Sequence, residues 1–204
     1  MRRGNEEALF SEEAPAASTN QFVPTDWSAD GRYIVFNTLL GNTTSSDLYV
    51  LPLFGDRAAM PIAQSSASET GGALSPDGRW IAYSSNESGA PQVYVQPFPP
   101  RPGVRWQVSQ NEGVWPTWSR DGRELFFLSV DQRLMVAPVK TVGGFEHGSP
   151  TVLFAFSTLA VVGAINYRQY AISSDGTRVL VNVLQRTSET TPLTVVHNWL
   201  AMRN

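Results

Sequence analysis

Along this chain, apolar residues come in triplets set at a fixed distance behind a polar turn signal. Ile34-Val35-Phe36, Ile81-Ala82-Tyr83, Leu125-Phe126-Phe127 and Val179-Leu180-Val181 each follow an Asp-Gly pair after two tolerant positions. Consecutive residues of a strand point to opposite faces of its sheet, so three apolar residues in a row predict a strand covered on both faces. A sheet with one wet face would alternate instead.

The triplets belong to a repeat. Its four copies read "WSADGRYIVF" (residues 27–36), "LSPDGRWIAY" (74–83), "WSRDGRELFF" (118–127) and "ISSDGTRVLV" (172–181), and they stack without a gap. The aspartates Asp30, Asp77, Asp121 and Asp175 are 47, 44 and 54 residues apart. The sets Ser28/Asp30/Gly31, Ser75/Asp77/Gly78, Ser119/Asp121/Gly122 and Ser173/Asp175/Gly176 suit a tight hairpin. In such a turn Ser and Asp bond nearby amides, and Gly accepts the positive φ that closes the loop. A second block follows each copy, "DLYVLPL", "QVYVQPF", "RLMVAPV" and "PLTVVHN", with Val50, Val95, Val136 and Val195 in one column.

Each unit thus predicts an inner strand ending at the residue before the turn serine, a second strand after the glycine and a third at the valine block. A weaker outer strand is expected at 59–63, 105–109 and 151–155. Small antiparallel sheets buried on both faces and repeated every 40 to 50 residues or so predict an all-β propeller with four recognisable four-stranded blades. A two-layer sandwich would leave one face of each strand wet. The blades are assigned to 21–69, 70–111, 112–165 and 166–204, with 1–20 as the outer strand of a preceding, incomplete blade. The long segment 142–167 accounts for the widest spacing, and its apolar content predicts that it is mostly packed.

Length and composition then narrow the function. A chain of 204 residues can bury about 70% of the surface its unfolded form exposes, so it needs no covalent staples. The absence of cysteine excludes a disulfide framework, a thiolate metal site and a cysteine nucleophile. A formal charge of −3 with 16% charged residues and no basic block removes the footprint of a nucleic-acid partner or an anionic membrane patch. The longest apolar run, 159–165, is far short of the roughly 20 residues that span a bilayer. The opening "MRRG" has no apolar signal region behind it, so the chain reads as soluble without an export address.

Candidate chemistry is sparse. The four repeated aspartates, which one might imagine around a cation, are explained as turn residues by their Ser-x-Asp-Gly setting. His147 lies in the loop "GGFEHGSP" and His197 on the last predicted strand, and neither HExxH nor Gly-x-Ser-x-Gly accompanies them. No catalytic residue, cofactor or metal site is expected. Among the tryptophans, Trp27 and Trp118 share a repeat column and are expected in the core with Trp80. Trp115, which opens an inner strand with Pro116, and Asp26, beside Trp27, are the candidates for the rim of a central channel, where propellers bind ligands.

The pair "SPDGRWIAY" and "VYVQPF" resembles the WD-like repeat of TolB-type six-bladed propellers. The segments "SPDGRWIAYSSNESGAPQVYVQPFP", "GVWPTWSRDGRELFFLS", "RLMVAPV" and "TVVHNW" are similar to the C-terminal propeller of large bacterial serine/threonine protein kinases, a resemblance that runs from 22 to 199. It implies a six-bladed ring, of which this chain would be a C-terminal fragment. The other arrangement is a small closed ring in which residues 6–10 complete the last blade. The resemblance also implies a preceding cytoplasmic kinase domain and, usually, one transmembrane helix, with the propeller as a periplasmic or extracellular sensor where that helix is present and cytoplasmic otherwise. No glycine-rich phosphate loop, His-Arg-Asp or Asp-Phe-Gly motif occurs here, so phosphotransfer is assigned to no residue of this chain. The expected function is a non-catalytic binding or scaffold propeller that takes a protein, peptide or small molecule at its face. The propeller portion of a prolyl-oligopeptidase-like hydrolase and a free-standing TolB-like binder are the alternatives.

Overall fold

The computed structural model describes residues 21–39, 45–157 and 168–183 and the backbone of 193–197. The strand expected within 1–20 lies outside that set. Sixteen strands and, among the described residues, no helix build four consecutive antiparallel sheets. The first holds β1 (Gln21–Trp27), β2 (Tyr33–Leu39), β3 (Leu48–Pro52) and β4 (Met60–Ala63). The second holds β5 (Glu69–Leu74), β6 (Trp80–Ser85), β7 (Gln92–Pro97) and β8 (Trp106–Gln107). In the third, β9 (Val114–Trp118), β10 (Glu124–Leu128) and β11 (Arg133–Lys140) are followed by β12 (Glu146–His147) and β13 (Thr151–Ala155), both paired with β11. The fourth holds β14 (Tyr170–Ile172), β15 (Arg178–Asn182) and β16 (Leu193–His197).

One turn starts every sheet. In each copy the serine hydroxyl donates to the aspartate Oδ1, at 2.6 Å for Ser28–Asp30 and 2.7 Å for Ser119–Asp121. In the first three copies the same hydroxyl oxygen accepts the amides four and five residues on, as Ser28 does from Arg32 and Tyr33 at 3.0 and 2.9 Å, and in the fourth Ser173 accepts the Arg178 amide. Gly31, Gly78, Gly122 and Gly176 take φ between 66° and 74°, where a side chain would be strained. A fifth turn of this kind joins β10 to β11. There Ser129 donates to Asp131, and Gln132, at φ 67°, stands where the other copies have glycine.

The turns fix register, and register fixes packing. In all four sheets the valine of the second block lies opposite the middle residue of the triplet: Val35–Val50, Ala82–Val95, Phe126–Val136 and Leu180–Val195. Three cores fill the seams between successive sheets. Val35, Leu48 and Val50 of the first sheet meet Leu74, Ile81 and Tyr83 of the second. Ala82, Val93 and Val95 of the second meet Trp118, Leu125 and Phe127 of the third. Phe126, Leu128 and Val136 of the third meet Tyr170, Val179 and Val181 of the fourth. The middle triplet residue therefore faces the next sheet, and its two neighbours face the preceding one. Each large apolar side chain so enclosed contributes roughly 1.5–3 kcal/mol.

Two expectations are corrected by this rule. Trp118 is 8% exposed, and its indole N–H donates to the Ala73 carbonyl of the preceding sheet at 3.0 Å. Trp27, in the same column, is not core: it is 63% exposed, because its column faces a preceding sheet and it lies on the first of the four described sheets. Leu180, the middle residue of the last triplet, is likewise exposed, since the face it lies on is the one that meets a following sheet. Both faces of the sheet are covered in the inner members of the series; β15 alternates between buried and exposed positions.

The turn carboxylates make folding sensitive to acid. Hydrogen bonds from Ser28, Ser119 and Ser173 hold the carboxyls of Asp30, Asp121 and Asp175 below the usual range. A carboxyl lowered on folding contributes stability that is complete above its unfolded value, near 3.8, and is lost as pH falls through the lower folded value. Urea denaturation across this range should show stability falling with acid, and Asp121→Asn should reduce the slope. An unchanged slope would remove the turns from the explanation.

Candidate functional site

The inner strands β1, β5, β9 and β14 come first in their sheets, and three of them are irregular. Register shifts fall at Pro24/Asp26 on β1, Thr70/Ala73 on β5 and opposite Phe126/Leu128 on β9. A bulge bends its strand and re-aims the side chains beside it. Here the re-aimed groups converge. Thr25 donates to the Gly72 carbonyl at 2.8 Å, and Asp26 Oδ2 accepts the Leu74 amide at 2.8 Å, both across the first seam. From the fourth sheet, Arg168 donates to Thr117 Oγ1 on the third and, at 3.1 Å, to the Thr25 carbonyl on the first. One guanidinium therefore ties the last sheet to two others.

Asp26 and Arg168 give this place opposite charges. Burial pushes the Asp26 carboxyl above its ordinary value, against the pull of the Leu74 amide, the Arg168 charge and its neighbour's amide. The phenol of Tyr170 is buried and pushed up for the same reason, and it donates to the Trp115 carbonyl at 2.7 Å.

Trp115 sits behind this cluster. Its ring is 5% exposed and packs in the core between the third and fourth sheets, with its amide donating to Ser84 Oγ at 3.0 Å. Its φ of 58° is unusual for a bulky residue. Gly71, at the same offset before its own turn, has φ 66°, and a Cβ there would come within 2.9 Å of the Trp115 ring. The two positions are locked together: glycine on β5 leaves the room that the indole from β9 fills.

Of the residues singled out in the sequence, Asp26 lies at the convergence, whereas Trp115 contributes its carbonyl and its bulk. Arg168, Thr117, Thr25 and Tyr170 escaped sequence reasoning. Arg168 had one signal, a charge four residues before Ile172, where the other copies carry Val23, Thr70 and Val114. His147 is exposed on β12, its Nδ1 3.1 Å from the Gly148 carbonyl, and the side chain of His197 lies outside the described residues. Among the described residues no three His, Asp or Glu side chains gather as a metal ion would require. The cluster presents one carboxyl, one guanidinium and the carbonyls between them.

No protein-family model matches the sequence. Solved structures do match its shape. TolB from Acinetobacter baumannii aligns with 94% of this chain and 43% of its own, at a TM-score of 0.65 and 18% identity. The fold is that of a TolB-like β-propeller. An oligogalacturonate lyase solved in complex with manganese covers 97% of this chain and 55% of its own at a TM-score of 0.61 and 13% identity. A puromycin-hydrolyzing peptidase of Mycobacterium tuberculosis covers 83% and 28% at 0.55 and 18%. The chain spans between about a quarter and just over half of the length of these proteins. At such identities the likeness is one of propeller architecture, shared by proteins whose names describe different activities.

The Gly71–Trp115 lock is open to test. Gly71→Ala should destabilise the propeller by about 2–4 kcal/mol in urea denaturation, from backbone strain together with overpacking. Adding Trp115→Gly should cost less than the sum of the two single changes, because the group that clashes is then gone. Strict additivity would show that the two residues do not act on each other.

Proposed function

We infer that this chain is a non-catalytic binding and scaffold propeller whose ligand meets the inner-strand cluster. The observation that carries this reading is the convergence of Asp26, Thr117 and Arg168 from three different sheets on one place. Residues so far apart in sequence, brought together as a donor set, an acceptor set and a pair of charges, suit a ligand that carries both kinds of group, such as a peptide main chain or a protein loop. The repeated Ser-x-Asp-Gly sets serve as turns, and the site draws on the columns just before them. Trp115 acts here as a positioning residue, through the carbonyl that holds Tyr170.

The finer reading follows the sequence resemblance: the propeller is the sensor or interaction domain of a kinase-like receptor, exposed outside the membrane where a helix anchors that receptor. Kinase motifs and a hydrophobic helix in the reading frame upstream would support it. A hydrolase domain in the same frame would move the propeller to the enzyme-associated class, to which the peptidase among its structural neighbours lends support.

Peptide phage display against the chain, followed by calorimetric titration of the selected peptides, tests the site. Arg168→Ala and Asp26→Asn should each weaken binding by about tenfold, or roughly 1.4 kcal/mol. Peptides whose affinity ignores both changes would place the binding surface elsewhere and overturn this reading.

A further inference from the structure

A second polar site lies away from the inner-strand cluster, in the seam between the first and second sheets. A cavity of about 610 Å³ opens between the end of β4 and the proline-rich loop that precedes β8. Its walls are mixed: Ile62, Pro100, Pro102 and Val104 give an apolar stretch beside the polar Gln64 and Gln96, and the cavity runs in to Tyr83 and Glu69.

Glu69 is the unusual member. It is 2% exposed, at the start of β5. Its Oε1 accepts from Ser65 at 2.6 Å and from Ser85 at 3.3 Å. Its Oε2 is buried without a hydrogen-bond partner. An ionised carboxylate left like this costs several kcal/mol unless a cation or a donor reaches it. Burial, with Asp47 and Glu87 nearby, pushes its carboxyl above the ordinary value despite the two serines.

The cations at the site are otherwise placed. Arg105 is held by Glu87 through both terminal nitrogens, at 2.7 and 2.5 Å, and lies 5.1 Å over the Tyr94 ring. Tyr83 gives its proton to Gln96, and the Gln96 amide goes to the Ile62 carbonyl. The charge available to an anion at the inner end is thus engaged, and the group left over there is an acceptor. Arg101 lines the cavity from the exposed loop.

We propose that this cavity binds a primary alkylammonium group, from a lysine side chain or an aliphatic diamine, with its methylene stem along the Ile62, Pro100, Pro102 and Val104 stretch and its ammonium on Glu69 Oε2. A compact ammonium with three donors on a flexible apolar stem matches a single unpartnered oxygen beside an apolar stretch of wall. Neither the inner-strand cluster nor the binding role inferred from it enters this argument.

Calorimetric titration of the whole chain with 1,5-diaminopentane, and separately with Nα-acetyl-lysine N-methylamide, tests the proposal. Saturable binding of either supports it, and the tighter of the two identifies the source as a free diamine or a protein side chain. Glu69→Gln should weaken that binding by about tenfold or more. A readout on the unchanged protein guards against a variant that misfolds: the ¹³C shift of the Glu69 carboxyl should titrate at lower pH when the diamine is present, since a bound ammonium favours the charged form. Asp47, Glu87 and Tyr83 lie around the same carboxyl, so its shift must be followed individually. The proposal is overturned by no saturable heat up to about 10 mM ligand, by Glu69→Gln binding within about twofold of the original, by equal competition from 1-pentanol, or by preferential binding of glutarate.

Discussion

A small sheet with apolar residues on both faces cannot stand alone, and the rest of this structure follows from that constraint. Each triplet puts one side chain toward the next sheet and two toward the one before, so every seam is built from unequal halves that fit in one order only. The valine opposite the middle residue thickens the half that faces forward. The turn serine and aspartate hold the register on which this division depends. A slip of one residue would exchange the two faces of a blade and spoil both of its seams at once.

The inner strands obey a different demand. They must close the narrow side of the fan, where neighbouring sheets come nearest, and their bulges relieve the ladder there. The same irregularity that accommodates crowding also frees side chains from the regular alternation, which is how Thr25, Asp26 and Thr117 come to meet Arg168. Backbone strain lies at the same place: Trp115, in a backbone conformation better suited to glycine, backs the cluster through the carbonyl that Tyr170 engages.

The repeated columns made the strands, turns and seams legible before any coordinates, because each column carries a local physical reason and is written four times. Trp27 shows where that reasoning fails. Its column says which side it faces, whereas burial depends on whether a sheet stands there, and no residue type records that. Arg168 was hidden for the opposite reason. It appears once, outside the columns, and its importance lies in partners 51 and 143 residues away. Glu69 was hidden as well, since a glutamate before "TGGAL" reads as a solvated strand end until the neighbouring sheet covers it. Features that recur could be read from the chain, and features that occur once had to be seen in place.

The bond from Arg168 to Thr25 bears on how such a fan assembles. Every strand pairing joins elements adjacent or nearly so in sequence, so each sheet can form locally and dock on its predecessor, much as units of a linear array do. Locally interchangeable units invite docking in the wrong order. A contact that spans 143 residues carries a loop-closure cost and is made only when the first and fourth sheets are brought together. The bond to Thr25 therefore contributes only to arrangements that bring the first and fourth sheets together.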